Sequence, residues 1–290
     1  MTRVLHILDH SLPLHSGYTF RTRAIMAAQA AIGIEAQGIT GVRHVDAGPD
    51  PETVDELTFH RVASKVCGPP VLREWREVTV LAEGIERVCD QFRPDVLHAH
   101  SPALCGLAAL KVARWRSLPM VYEIRAFWED AAVENGTGRE GSAKYLLTRL
   151  LENHVIAEAD HVVAICDGLR SDLIGRGVDP DRVSIMPNGV DLSLFGDAPQ
   201  RDGALARQLG LGEGPVIGFI GSFYAYEGLD DLISAMPALL ECHPDARMLL
   251  VGGGAPARLY SRPKPIRWAW LMPFVLPAGS RITRWSAITR

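Results

Sequence analysis

The stretch Pro187-Asn188-Gly189-Val190-Asp191, followed after a polar interval by Val216-Ile217-Gly218-Phe219-Ile220-Gly221, decides the fold. A residue of fixed φ, an asparagine and a glycine able to take positive φ make a tight turn, which ends one strand–helix series. The apolar run from Val216 then starts a second series. One series closing and another opening predicts two stacked α/β domains, with Asp197–Gly214 as the linker between them.

Outward from that junction, short apolar runs of the buried parallel-strand type alternate with longer helical patterns. Strands are predicted at Val4–Leu8, Ala36–Thr40, Leu57–Val62, Val96–Ala99, Met120–Ile124, His161–Ile165 and Val183–Met186, then at Val216–Ile220 and Met248–Val251. Helices are expected at Thr19–Ile32, at about 71–92, 102–116, 143–159 and 168–175, and from Gly228 to Cys242. Strands separated by helices give a doubly wound parallel sheet, whose ligands belong at the strands' carboxyl ends. The domain reading is 1–195 for the first Rossmann-like domain, 196–254 for the start of a second, and 255–290 for a tail.

That tail holds six Arg, one Lys and no acid, with three Trp and five Pro. Prolines interrupt every apolar run, so the tail is expected to add no strand and to be disordered or non-native coding. A basic, tryptophan-bearing interfacial segment is the competing reading. The remainder is acidic enough to leave the whole chain at −4, which gives no reason to expect nucleic-acid binding. Five scattered cysteines (67, 89, 105, 166, 242), each in an apolar stretch, read as reduced core thiols. No run approaches the roughly 20 apolar residues of a membrane span, and the expected compartment is the cytoplasm.

Several residues stand where chemistry is expected. Gly17 precedes a helix whose exposed N–H groups favour phosphate oxygens, although such a glycine can serve only close strand–helix packing. Tyr18 and Arg21 follow it. His98 and His100 share one side of their strand by the period of two, and His100, nearer the carboxyl end, is expected to project into the cleft. A zinc site there is disfavoured because no carboxylate or cysteine accompanies the pair in sequence. Tyr122–Asp130 runs off the next strand with Glu123, Arg125, Trp128, Glu129 and Asp130, a charged and aromatic set suited to a polar substrate. Asp167 is expected to cap the following helix. In the second domain, Gly221-Ser222-Phe223-Tyr224-Ala225-Tyr226-Glu227-Gly228 and Val251–Gly254 are candidate phosphate cradles.

These pieces resemble family 4 retaining glycosyltransferases of the GT-B fold over residues 1 to 254. The carriers are His15-Ser16-Gly17-Tyr18, Pro94–His100, Ala164-Ile165-Cys166, Pro187–Asp191 and Leu250–Gly254. Leu8–Thr22, Tyr122–Asp130 and Gly221–Leu229 are similar to the exosortase-associated exopolysaccharide subgroup. The resemblance implies transfer of a sugar, with retention, from a nucleotide sugar to a growing polysaccharide or lipid-linked acceptor, without metal or cofactor. The enzyme would be cytoplasmic, or peripheral at the inner face of the cell membrane. Implied donor contacts are Gly17, Ser222, Tyr224, Glu227, Gly228 and Gly253, with His100 on the transferred sugar. Tyr18, Arg21, Arg125, Trp128 and Glu129 would line the acceptor side. Ser222 and Glu227 stand where many members carry Arg and Lys. The family's paired glutamates, seven apart, have no counterpart here, which implies a truncated and inactive donor half. A non-enzymatic remnant and a nucleotide-sugar epimerase are the alternatives.

Overall fold

The computed structural model describes residues 1–44, 48–134, 136–190, 192, 196, 200–223, 227–253 and 271–275. They fall into two compact units, Met1–Gly189 and Val190–Arg290.

The first unit runs β1 (Arg3–Leu8), α1 (Gly17–Ala31), β2 (Glu35–Thr40), β3 (Glu52–Val54), β4 (Leu57–Arg61) and α2 (Pro70–Phe92). It continues with β5 (Val96–His100), α3 (Ala103–Arg116), β6 (Met120–Ile124), α4 (Trp128–Glu134), α5 (Ala143–Glu158), β7 (His161–Ala164), α6 (Asp167–Gly175) and β8 (Val183–Ile185). The sheet order is β3-β4-β2-β1-β5-β6-β7-β8. Every neighbouring pair is parallel except β3 with β4. The order turns back at β1, between β2 and β5, so ligands are expected at the carboxyl edge there.

The two faces of this sheet differ. Leu5, Ile7, Leu97, Ala99, Tyr122 and Ile124 join the residues of α2, α3 and α5 in one large apolar core. The alternate positions face the side of α1, where Leu8 packs with Met26 and Phe59. His6, His98, His100 and Glu123 occupy alternate positions on the same three strands, with His6 beside His98 and His100 beside Glu123 in register. The period of two thus sorts an apolar face from a polar one.

Arg61, only 2% exposed, ends β4 and braces the β1–α1 loop from behind. Its Nη1 donates to Ser11 Oγ (2.6 Å) and Thr40 Oγ1 (3.2 Å), and its Nη2 to the Leu12 carbonyl (2.5 Å) and Glu52 Oε2 (2.7 Å). A buried guanidinium is tolerated only when its donors are met this way.

The second unit contains α7 (Gly203–Gln208), β9 (Val216–Ser222), α8 (Leu229–Cys242), β10 (Arg247–Gly253) and β11 (Leu271–Val275). Its three described strands are parallel, in the order β11-β10-β9. Leu229, Met248 and Leu250 pack with Phe219, Phe223 and Met236. Gly252 is glycine for a steric reason: its φ is +158° and a Cβ would lie 1.7 Å from the Gly221 carbonyl.

The structure corrects several expectations. The tail does supply a strand: among the described residues β11 pairs with β10 alone, and an edge position tolerates Pro273 opposite Leu250. The rest of 255–290 lies outside the described residues. Cys67, Cys166 and Cys242 are exposed, leaving Cys89 and Cys105 as core thiols. Asp167 is the first residue of α6 rather than its cap, which is Cys166 without a side-chain bond. The stretch after β6, where no helix is predicted, folds into α4, and the linker interval contains α7.

Candidate functional site

The polar face converges at the carboxyl edge of β1, β5 and β6. Glu123 is fully buried, and its Oε1 accepts from Arg21 Nε and Arg125 Nε, each at 2.8 Å. Its Oε2 faces His98 Nε2 at 3.3 Å and His100 Nδ1 at 3.6 Å. Burial alone pushes this carboxyl up. The neighbouring His98 and Arg125 side chains outweigh burial and hold it below the ordinary carboxylate range.

Hydrogen-bond direction in the histidine cluster follows by elimination. Arg125 Nη2 can only donate, so His100 Nδ1 accepts from it at 2.7 Å. Burial holds His100 well below its usual range, so the ring is neutral and its proton sits on Nε2. That N–H donates to His6 Nδ1 at 2.9 Å. His6 is neutral as well, pushed down to about 3 by burial first and by His98 next. Its Nε2–H therefore donates to Gln29 Oε1 at 2.8 Å. The chain runs one way, from Arg125 through His100 and His6 to Gln29. The rings of His98 and His100 stack at 4.3 Å, as the period of two requires.

His6, His98 and His100 bring ligand atoms within 4.8 Å of one another, and Glu123 adds a carboxylate. The partners judged absent from sequence come from strands distant in the chain. This donor set nonetheless fits hydrogen bonding better than a cation. An ion would have to break the His100–His6 bond and sit beside two guanidinium groups.

The other expected residues separate into groups. Gly17 opens α1 behind the N-cap Ser16, whose Oγ accepts from Thr19 N at 3.1 Å. A Cβ on Gly17 would meet nothing within 4 Å, so close strand–helix packing does not require glycine here. Tyr18 accepts from the Asp9 amide at 3.2 Å, and the Arg125 guanidinium lies 4.2 Å from its ring centroid. Arg125 also donates to the Tyr18 carbonyl (2.7 Å) and Thr22 Oγ1 (3.0 Å). Trp128 starts α4 and is 40% exposed.

Three expectations about this edge change. His100 does not project into open space: it is fully buried and both ring nitrogens are engaged. Arg21 is turned inward onto Glu123 and the end of the unit. Glu129 is 1% exposed and pairs with Arg176 Nη2 at 2.9 Å, because α4 turns it toward α6. In the second unit Ser222 ends β9 opposite Gly253 of β10, Glu227 is exposed, and Gly228 is the N-cap of α8 at φ +70°. Tyr224 lies outside the described residues.

Sequence reading passed over the Asp9–His10–Ser16 chain, in which His10 bridges Asp9 Oδ2 (3.0 Å) and Ser16 Oγ (2.7 Å). It also passed over His6, a lone polar residue in an apolar run. Its one available signal is its place in the period of two.

A doubly wound first unit with a polar carboxyl edge at its switch point, followed by a second unit built on a parallel sheet, gives an α/β protein of the GT-B type. A family described as "Glycosyl transferase 4-like domain" matches residues 16–189, and the chain belongs to that family. It is 29% identical over 245 residues to the D-inositol 3-phosphate glycosyltransferase of Segniliparus rotundus, covering 81% of this chain and 52% of that protein. The chain spans about half the length of the curated relatives it matches. Among solved structures it shares its fold with sucrose-phosphate synthase from Thermosynechococcus elongatus (TM-score 0.65, 17% identity, 89% of this chain and 64% of that one). Anabaena Alr3699/HepE in complex with UDP and glucose is also similar (TM-score 0.59, 14% identity, 89% and 63%).

Proposed function

We propose that the chain acts in transfer of a sugar from a nucleotide-sugar donor to a growing polysaccharide or a lipid-linked acceptor, with retention at the anomeric carbon. The first unit would take the acceptor and the second the base and ribose of the donor. The observation that carries this is the open space over Gly17. It lies at the amino end of α1, on the sheet edge where the strand order reverses, where helix amides and dipole favour a diphosphate. Trp128, exposed after β6, gives a sugar ring something to stack on. Family membership and a structural neighbour holding UDP and glucose support the same donor class. The exopolysaccharide assignment rests on the Leu8–Thr22, Tyr122–Asp130 and Gly221–Leu229 blocks.

The epimerase reading needs a carboxylate free to act as a base. Glu123 is held by two arginines, Glu129 by Arg176, and Asp130 accepts from the Tyr145 hydroxyl at 2.8 Å. That engagement favours transfer. The test is calorimetric titration of the full chain with UDP and UDP-glucose, followed by product analysis with an oligosaccharide acceptor. A new glycoside of unchanged anomeric configuration is expected. An isomerised donor, or no binding of either compound, would overturn the proposal.

A further inference from the structure

Arg21 sits on α1, yet its side chain reaches the last residues of the first unit. Nη2 donates to the Met186 carbonyl (2.6 Å), and Nη1 to the Pro187 carbonyl (3.1 Å) and Asn188 Oδ1 (3.0 Å). Its Nε donates to Glu123 Oε1, the oxygen that also receives Arg125 Nε. The turn at Met186–Asn188 is therefore joined to His100 through two arginines and one carboxylate.

We propose that Arg21 and Glu123 are positioning residues: their shared contact aims Arg125 at His100, fixes that ring as the Nε2–H tautomer, and ties this choice to the path of the chain leaving the first unit. Three features of the geometry support it. The two Nε–H groups meet on one oxygen, so displacing either arginine changes the anchor of the other. Arg125 offers His100 only a donor, and without it the ring could take its proton on either nitrogen. A planar fork with five donors can hold three backbone and side-chain oxygens and a carboxylate together, which a lysine cannot.

The consequence is chemical. A ligand atom that replaced His6 at His100 would meet an N–H, so the site selects an acceptor oxygen, such as a sugar hydroxyl or a phosphoryl group, over an amine. The ligand's identity rests on the function proposed above, whereas the tautomer and the tie to Met186 do not.

The test is nitrogen-15 NMR of the histidine rings, with hydrogen exchange at the Met186 amide, which bonds to the Ala164 carbonyl at 2.9 Å. In the unaltered chain His100 should show a bare Nδ1 and a protonated Nε2. Arg21→Ala should bring in the second tautomer and speed Met186 exchange by about tenfold, the scale for losing a restraint of a few hydrogen bonds. Arg21→Lys should restore the His100 signal through Glu123 without restoring Met186 protection. Glu123→Gln should mix the tautomers while the exchange rates of the apolar core stay unchanged. A His100 protonated on Nδ1 in the unaltered chain, or an Arg21→Ala variant unchanged in both readouts, would overturn the proposal. If the shifts appear as expected and UDP-glucose does not bind, the positioning role stands and the glycosyltransfer reading fails.

Discussion

Tyr122 and Glu123 are adjacent on β6 and equally buried, but they face opposite sides of the sheet. On the α1 side, Glu123 meets Arg21, Arg125 and two histidines. On the other side, the Tyr122 hydroxyl donates to Glu152 of α5 at 2.7 Å, while the Arg176 cation nearby is held by Glu129. Burial pushes both carboxyl groups up. Glu152, with a single neutral side-chain donor, is raised to about 7, whereas Glu123 is pulled the other way. The contrast teaches that local cations, not depth, set the charge state. One face of the sheet is built to hold charge at a ligand edge, and the other to pack helices.

The severest way to break this comparison is Glu123→Ala. It leaves two inward-facing guanidinium groups without their anion, and a loss of about 3–5 kcal/mol is expected in urea unfolding. A loss under about 1 kcal/mol would show that the arginines find other partners or water.

Glu152→Gln sharpens the comparison through pH. The folded-state value near 7 lies above the ordinary 4.5, so the folded chain holds its proton more tightly than the unfolded one. Stability from that proton is intact below about pH 4.5 and is lost as pH rises through 7. The variant should gain roughly 3 kcal/mol at pH 8 and nothing near pH 4, at about 1.4 kcal/mol for each tenfold change in proton affinity. His6 and His100 carry the opposite sign. Their lowered values mean that stability present above about pH 6.5 is lost on acidification, down to about 3 for His6. Chemical denaturation across that range should therefore give limbs of opposite slope.

On the packing face, Gly106 of α3 lets the helix close on Val155 and Tyr122, where a Cβ would come within 2.4 Å and 3.0 Å. Gly106→Ala should cost about 1–3 kcal/mol by overpacking, read from the thermal midpoint. Gly17→Ala should change stability least, within about 0.5 kcal/mol, because its Cβ meets no protein atom. If the space over Gly17 receives a diphosphate, UDP-glucose affinity should fall in the same variant, and an unchanged affinity would count against that placement.

Much of the first unit was legible because its strands are continuous apolar runs between helical stretches. Val4–Leu8 and Met120–Ile124 needed nothing beyond period and length. Edge strand β3 was not legible, since Glu-Thr-Val carries no apolar run and takes its shape from β4. Pro273 hid β11 for a related reason, as proline excludes a central strand but not an edge. At the site, Arg125 and the His98–His100 pair were readable as a polar strand end. The engagement of Arg125 and His100 was not, because Arg21 and His6 arrive from other strands and helices. Glu129 read as one of a charged set suited to a substrate, whereas α4 turns it toward Arg176.

Arg61 has a consequence for anyone exchanging parts between homologues. The Asp9–Ser16 segment looks like a self-contained cassette, joined at one strand and one helix. Its shape, however, is templated by a guanidinium carried on another strand, which grips Ser11 and the Leu12 carbonyl. A chimera that imports this segment without a matching residue at position 61 would receive the letters of the loop but not its mould.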